Sequence, residues 1–225
     1  DPLNAVRIFN EKQVDELMVL DIDASKKMKE PNYDLISSLA TESRMPLCYG
    51  GGVKNVQQFR RIINLGVEKV SISSGVFDDG ELVRKAVDQI GSQSVVVVLD
   101  VKKKLLGSGY NIYTHGGSIR RSESLQELVG YLLDSGVGEL VINSIDRDGT
   151  MRGYDFDLLD LLNSLIDIPL TCLGGAGSLD DVKKLVQRYG HIGAGAGSLF
   201  VFKGKYKAVL ISYPSQELKD NILNV

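Results

Sequence analysis

The chain is poor in cysteine and histidine, with two of each in 225 residues. Cys48 and Cys172 lie far apart and carry no secretory context, so the pattern excludes a disulfide framework and reads as reduced thiols of a cytoplasmic protein. Two cysteines and two histidines also argue against a Cys/His zinc site, and no metal is called for. Long apolar runs are lacking too. None approaches the roughly 20 residues a membrane-spanning helix needs, and the first residues do not read as a signal peptide. There is no excess of one charge: 26 Lys+Arg against 29 Asp+Glu give −3, which offers no general attraction to nucleic acid or to an anionic membrane. What remains is 43% hydrophobic and 24% charged, the composition of a globular domain. A chain of this length can bury well over half of its unfolded surface without a disulfide or metal.

Seven short β-branched runs alternate with amphipathic stretches. The runs cover 16–22, 45–49, 69–73, 94–101, 138–144, 168–172 and 192–196; the amphipathic stretches lie near 2–13, 33–43, 55–65, 80–90, 122–135, 154–165 and 179–189. The runs are continuous rather than alternating, as in Val95-Val96-Val97-Val98-Leu99-Asp100, which predicts strands buried on both faces of a parallel sheet. An internal repeat chooses between an open sheet and a barrel. Glu16-Leu17 with Ile22-Asp23 recurs as Glu139-Leu140 with Ile145-Asp146, and Cys48-x-Gly50-Gly51 recurs as Cys172-x-Gly174-Gly175. Gly66 and Ser74 likewise answer Gly190 and Ser198. Two half-barrels of four βα units predict one (β/α)8 TIM barrel over 1–225, with a first half at 1–92 and a second at 93–225. The run at 94–101 opens the second half, and its counterpart falls before residue 1. The reading therefore expects the first strand to be missing from this chain, and about 25–30 further residues ahead of it, since seven strands would leave two open edges.

In a barrel, chemistry sits in the loops after the strands. Those loops read Gly50-Gly51-Gly52, Ser73-Ser74-Gly75, Gly174-Gly175-Ala176-Gly177 and Gly195-Ala196-Gly197-Ser198. One such loop is simply a tight turn. Four at matched strand ends predict two phosphate cradles, in which small residues let backbone N–H groups approach an anion. A ligand with a phosphate at each end follows. Carboxylates are the second feature. Asp100 ends its strand and precedes a long, glycine-rich loop at 102–117, so it is the candidate general acid or base. Asp21 and Asp146 are read as helix caps or, for Asp146, as a partner of Arg147. Asp146-x-Asp148-Gly149-Thr150 also matches the nucleophile loop of haloacid-dehalogenase-type phosphatases, though here it lies in mid-chain. His115 and His191 read as structural or solvent-facing, Lys102-Lys103-Lys104 as a solvated loop, and the two cysteines as equivalent core positions. Glu16, Lys69 and Glu139 each begin a strand, where charges at a barrel floor ordinarily form a stabilising ion-pair ring.

Taken together, Asp15-Glu16-Leu17 with Leu20-Asp21-Ile22, Gly50-Gly51-Gly52, Lys69-Val70-Ser71-Ile72, Ser144–Gly149 with Gly153-Tyr154-Asp155, and Gly174-Gly175-Ala176-Gly177 resemble the cyclase subunit of imidazole glycerol phosphate synthase over essentially the whole chain. The resemblance implies a lyase/cyclase that takes ammonia from a glutaminase partner docked at the barrel floor. With that ammonia it converts a phosphoribulosyl formimino ribonucleotide, a bisphosphate, into imidazole glycerol phosphate and an aminoimidazole carboxamide ribotide. It implies no cofactor. Asp100 matches the family's general acid. Asp148 and Gly149 match substrate contacts beside the cradle residues Gly51, Gly52, Ser73, Ser74, Gly174, Gly175, Gly197 and Ser198. Glu16, Lys69 and Glu139 match three of four ammonia-gate residues, displacing the ion-pair reading; the general base and the gate arginine belong to the absent first strand. Three places depart from the family: Ser73-Ser74 stand for Asn-Thr, Asn143 for Thr and Leu173 for Ser. The segment 202–210 is basic and strand-like where the family has a helix. In this it is similar to paralogues encoded with surface-polysaccharide genes, which implies sugar amidation as the alternative function.

Overall fold

The computed structural model describes residues 1–204 and 206–223. Strands β1 (Leu17–Leu20), β2 (Leu47–Gly50), β3 (Lys69–Ile72) and β4 (Val95–Lys103) are followed by a short hairpin, β5 (Tyr110–Thr114) and β6 (Ile119–Arg120). Then come β7 (Glu139–Ser144), β8 (Leu170–Leu173) and β9 (Gly193–Ala194). The long helices are α1 (Pro2–Glu11), α3 (Tyr33–Glu42), α4 (Val56–Asn64), α6 (Leu82–Ile90), α7 (Leu125–Asp134), α8 (Phe156–Asn163) and α9 (Leu179–Tyr189). Short helices α2 (Ile22–Lys26) and α5 (Gly75–Asp78) follow β1 and β3, and α10 (Ser198–Val201) follows β9. The main sheet runs β1-β2-β3-β4-β7-β8-β9, every neighbouring pair parallel, while β5 pairs antiparallel with β4. This is the (β/α)8-barrel architecture, with seven parallel strands among the described residues and β1 and β9 at the two ends of the order.

The helices begin where the sequence supplies caps. Asn32, Asn55 and Asp155 each accept the backbone N–H three residues on, and Ser178 forms a reciprocal capping box with Asp181. The apolar run in β4 is explained by its two faces. Val95, Val97, Leu99 and Val101 join the large core between sheet and helices; Val96 and Val98 pack inside with Cys48 and Val141. Both faces are dry, so the strand has no polar positions until Asp100.

That two-faced packing corrects the reading of the cysteines as equivalent. Both are fully buried, but Cys48 packs in the inner cluster and Cys172 in the helix-facing core. The Glu16/Glu139 landmarks are separated by 123 residues and the cysteines by 124, and on a strand one residue of slip reverses the face. The glycine-rich segment at 102–117 is a second correction. Much of it is hairpin, because Tyr110, Ile112 and Thr114 alternate buried with partly exposed neighbours and pair back onto β4. Lys102 and Lys103 thus lie on a strand, solvated at its rim.

Past α10 the chain turns through an antiparallel pair, β10 (Phe202–Lys203) and β11 (Ala208–Val209), and ends in α11 (Gln216–Leu223). The expected strand character of 202–210 is present, with Lys205 outside the described residues. The Tyr213 hydroxyl donates to Asp15 Oδ2 at 2.7 Å and Lys219 Nζ lies 2.6 Å from Asp15 Oδ1, which ties this end of the chain beside the entry to β1.

Candidate active site

The loops after the strands enclose a cavity of about 330 Å³. Gly51, Gly52, Ser73 and Ser74 line it, together with Asp100, Asn143 and Asp148. A smaller hollow adjoins it, walled by Gly149, Gly174, Gly175, Gly197 and Ser198. Asp148 and Leu173 belong to both. All the residues singled out in the sequence as cradle, acid or substrate contact therefore meet in two connected hollows at one pole.

The glycines are required by geometry at two of these points. Gly51 has φ +128°, and a Cβ there would stand 2.7 Å from the Asp21 carbonyl oxygen. Gly175 has φ +105°, and its Cβ would come within 2.2 Å of the Gly153 carbonyl oxygen. Neither backbone angle nor either space admits a side chain, so peptide groups themselves form the walls.

Asp100 is placed by β4 and stands in register with Asn143 on β7. Asn143 Nδ2 donates to Asp100 Oδ1 at 2.8 Å. Burial raises the Asp100 pKa above the usual carboxylate range and the nearby Asp148 charge adds to this, while the Asn143 hydrogen bond opposes it. A carboxyl whose pKa is raised by burial holds its proton to higher pH than a solvated one, and inside a cavity it can deliver that proton.

At the opposite pole, Lys69 Nζ lies 2.9 Å from Glu16 Oε1 and 2.8 Å from Glu139 Oε2. Thr171 Oγ1 donates to the other Glu139 oxygen at 2.7 Å. Burial opposes the Lys69 charge, but the hydrogen bonds to Glu139 and Glu16 outweigh it and lift its pKa above the ordinary lysine value. The three gate candidates thus form one cluster at the strand entrances. Between it and the cavity lie the inner side chains Cys48, Val96, Val98 and Val141, with Met18 and Leu173 packed against them.

Sequence reasoning missed several lining residues. His115 is not merely structural or solvent-facing: it borders the cavity with Gly116 and Gly117, at φ +54°, with Nδ1 3.1 Å from Thr114 Oγ1. The two-residue alternation of β5 was the signal that would have carried His115 to the mouth. Asp21 does cap α2, accepting the N–H groups of Asp23 and Ala24 at 3.1 Å, yet it also lines the cavity. Asp146 accepts the Lys103 N–H at 2.9 Å and lies 3.9 Å from Lys102 Nζ, rather than pairing with Arg147. Arg147 instead donates to the Arg152 carbonyl.

Comparison with known proteins places this geometry. The model of a family described as "Histidine biosynthesis protein" matches residues 1–207. A Vibrio vulnificus protein provisionally named imidazole glycerol phosphate synthase subunit hisF3 is 53% identical over 225 residues, covering 100% of this chain and 86% of that one. A Leptospira borgpetersenii protein provisionally named as the HisF subunit is 54% identical over 215 residues, covering 96% and 85%. The Wolinella succinogenes imidazole glycerol phosphate synthase subunit HisF is 36% identical over 184 residues, covering 82% and 72%. With Asp100, the glycine-rich loops and the acidic loop lining adjoining hollows, and with relatives matched at this length, the chain belongs to the histidine biosynthesis protein family, as a HisF-type member.

Proposed function

We propose that this protein is the cyclase subunit of an imidazole glycerol phosphate synthase. In this reading it uses ammonia released by a glutaminase subunit to convert a phosphoribulosyl formimino ribonucleotide into imidazole glycerol phosphate and an aminoimidazole carboxamide ribotide. The observation that carries the reading is the position of Asp100, a half-buried acid lining a cavity with Gly51, Gly52, Ser73 and Ser74, beside a smaller hollow walled by Gly174, Gly175, Gly197 and Ser198.

Each group then has a task. Gly51, Gly52, Ser73 and Ser74 hold one phosphate; Gly174, Gly175, Gly197 and Ser198 hold the other, with Gly149 at its edge. Peptide N–H groups suit this task because they donate to an anion without needing reorganisation. Fixing both ends brings the reacting centre beside Asp100 and makes cyclisation an oriented intramolecular event. Asp100 supplies the proton as general acid, its raised pKa keeping the acid form populated closer to neutral pH. The glutaminase docks at the floor, where Glu16, Lys69 and Glu139 form the gate. Charged ammonium is held back by the apolar interior beyond the gate, whereas neutral ammonia passes.

The test uses the full-length gene product, the formimino ribonucleotide and an ammonium salt without any partner, with substrate absorbance as the readout. Turnover is expected, and Asp100→Asn should remove it. A folded protein that binds the ribonucleotide yet never turns it over would refute the reading.

A further inference from the structure

Asp100 and Asn143 are cross-strand neighbours, and Asn143 is followed in register on β8 by Leu173. The two polar atoms of the Asn143 amide fare differently. Nδ2 donates to Asp100 Oδ1 at 2.8 Å, whereas Oδ1 of the amide is buried and has no hydrogen-bond partner among the described residues. It lies under Gly174, where a Cβ would stand 3.1 Å from it. Swapping the amide ends would set oxygen against the Asp100 carboxylate, so the carboxylate decides the orientation. A buried acceptor left unmatched is a cost to folding, and it persists here beside the one group the amide serves.

Resting on the cyclase reading above, we propose that Asn143 is the positioning residue of Asp100: its N–H occupies Oδ1, fixes the carboxyl group and leaves the acidic proton on Oδ2. An oxygen that accepts an amide N–H is a poor site for the proton of the acid form, so the proton resides on the other oxygen. That oxygen has no protein partner among the described residues, and Asp100 borders the cavity. The remaining ionisable groups around the cavity are Asp21, Lys26, His115 and Asp148, and only Asp148 acts noticeably on Asp100. Leu173 offers the amide no hydrogen bond, so Asp100 is the side-chain partner that Asn143 has.

The experiment compares Asn143→Ala and Asn143→Thr with the wild-type full-length protein. In Asn143→Ala, kcat for the ammonium-dependent reaction should fall about ten- to a hundredfold with KM little changed, as expected when a reacting group loses its alignment. The alkaline limb of the kcat profile should move to higher pH, because the lost hydrogen bond favoured the carboxylate. Asn143→Thr, which keeps a donor on the same backbone position, should recover most of both changes. Added to Asp100→Asn, the alanine change should cause no further loss. The alanine change should lower the melting temperature more at pH 7 than in acid, because the lost hydrogen bond served the carboxylate form of Asp100. An unmoved pH limb or an additive loss would each overturn the proposal. Carboxyl NMR titration of Asp100 reads the pair without any turnover. An unchanged Asp100 pKa in Asn143→Ala refutes the positioning role, whereas full activity in Asp100→Asn refutes the acid reading and leaves the titration to judge the pair.

Discussion

Lys69 and Glu139, 70 residues apart in sequence, meet at 2.8 Å where β3 and β7 begin, with Glu16 completing the cluster. The raised Lys69 pKa fixes how this cluster responds to pH. Its stabilising contribution is fully present below the ordinary lysine value of about 10.4 and disappears only as pH rises through the higher folded value. Stability from this cluster is therefore flat across neutral pH.

Lys69→Met leaves two carboxylates without their cation, one of them on a largely buried side chain. We expect a loss of about 1–3 kcal/mol in denaturant unfolding, between the values of exposed and buried pairs. On the proposed function, glutamine-dependent turnover with a glutaminase partner should fall more than ammonium-dependent turnover, since only the former would pass the proposed gate. Equal losses in the two assays would remove Lys69 from the ammonia route.

If Asp100 is the proposed general acid, Asp100→Asn should lower the rate of the proposed cyclisation by about 10²–10⁴-fold, the usual share of such a group. Its effect on stability has the opposite sign. Because the folded pKa is raised, the ionised wild-type carboxyl is a burden at neutral pH, and the native state gains stability as pH falls through the folded value. Asp100→Asn should therefore melt higher than the wild type at pH 7, the difference narrowing in acid. Calorimetry at pH 7 and near pH 4 measures it.

The cradle glycines should not respond alike to alanine. At Gly175 the new methyl would stand 2.2 Å from the Gly153 carbonyl oxygen, at φ +105°. Backbone strain and the clash together should cost about 3 kcal/mol or more and, on the proposed function, raise KM for the proposed bisphosphate substrate. At Gly149 (φ +69°) no atom lies within 4 Å of the added carbon, so Gly149→Ala should cost only about 1–2 kcal/mol. Thermal melts and substrate titrations of the two variants test the ranking.

Asp155 holds the loop that carries Asp148. Only 5% exposed, it accepts Tyr110 Oη at 2.9 Å, Ser144 Oγ at 3.1 Å and the Leu158 N–H at 3.2 Å. Asp155→Ala removes a helix cap and strands two buried hydroxyls, so a loss of about 3–4 kcal/mol is expected. Asp155→Asn keeps the acceptor oxygen and should lose less. If the two variants unfold at the same denaturant concentration, the carboxyl network is not what fixes this loop.

How much was legible beforehand varied with the kind of signal. The βα alternation, the seven parallel strands and the barrel class follow from periodicity. Val95 through Leu99 cannot be anything but doubly buried, and Ser178 and Asp155 announce their helices. The cradle candidates and Asp100 could be placed at one pole because a parallel strand delivers its last residue and its following loop there, so position along the chain already gives position in space. The Glu16, Lys69 and Glu139 cluster follows from the same rule at the other end of the strands.

Other features depend on which side chains meet, and one-dimensional spacing does not encode that. The opposite burial of Cys48 and Cys172 turns on a single residue of strand register. His115 reaches the cavity because the hairpin β5–β6 folds back on β4, and Asp146 takes Lys103 rather than its neighbour Arg147 because β4 and β7 run parallel in register. The hydrogen bond from Asn143 to Asp100, across 43 residues, exists only because β4 and β7 align. Sequence by itself determined the fold class and the pole at which the candidate site residues gather, since both follow from local periodicity and chain direction. Tertiary structure alone decided which polar atoms are matched, which are left buried without a partner, and how the charge on Asp100 is held, because those depend on contacts between strands distant in the chain.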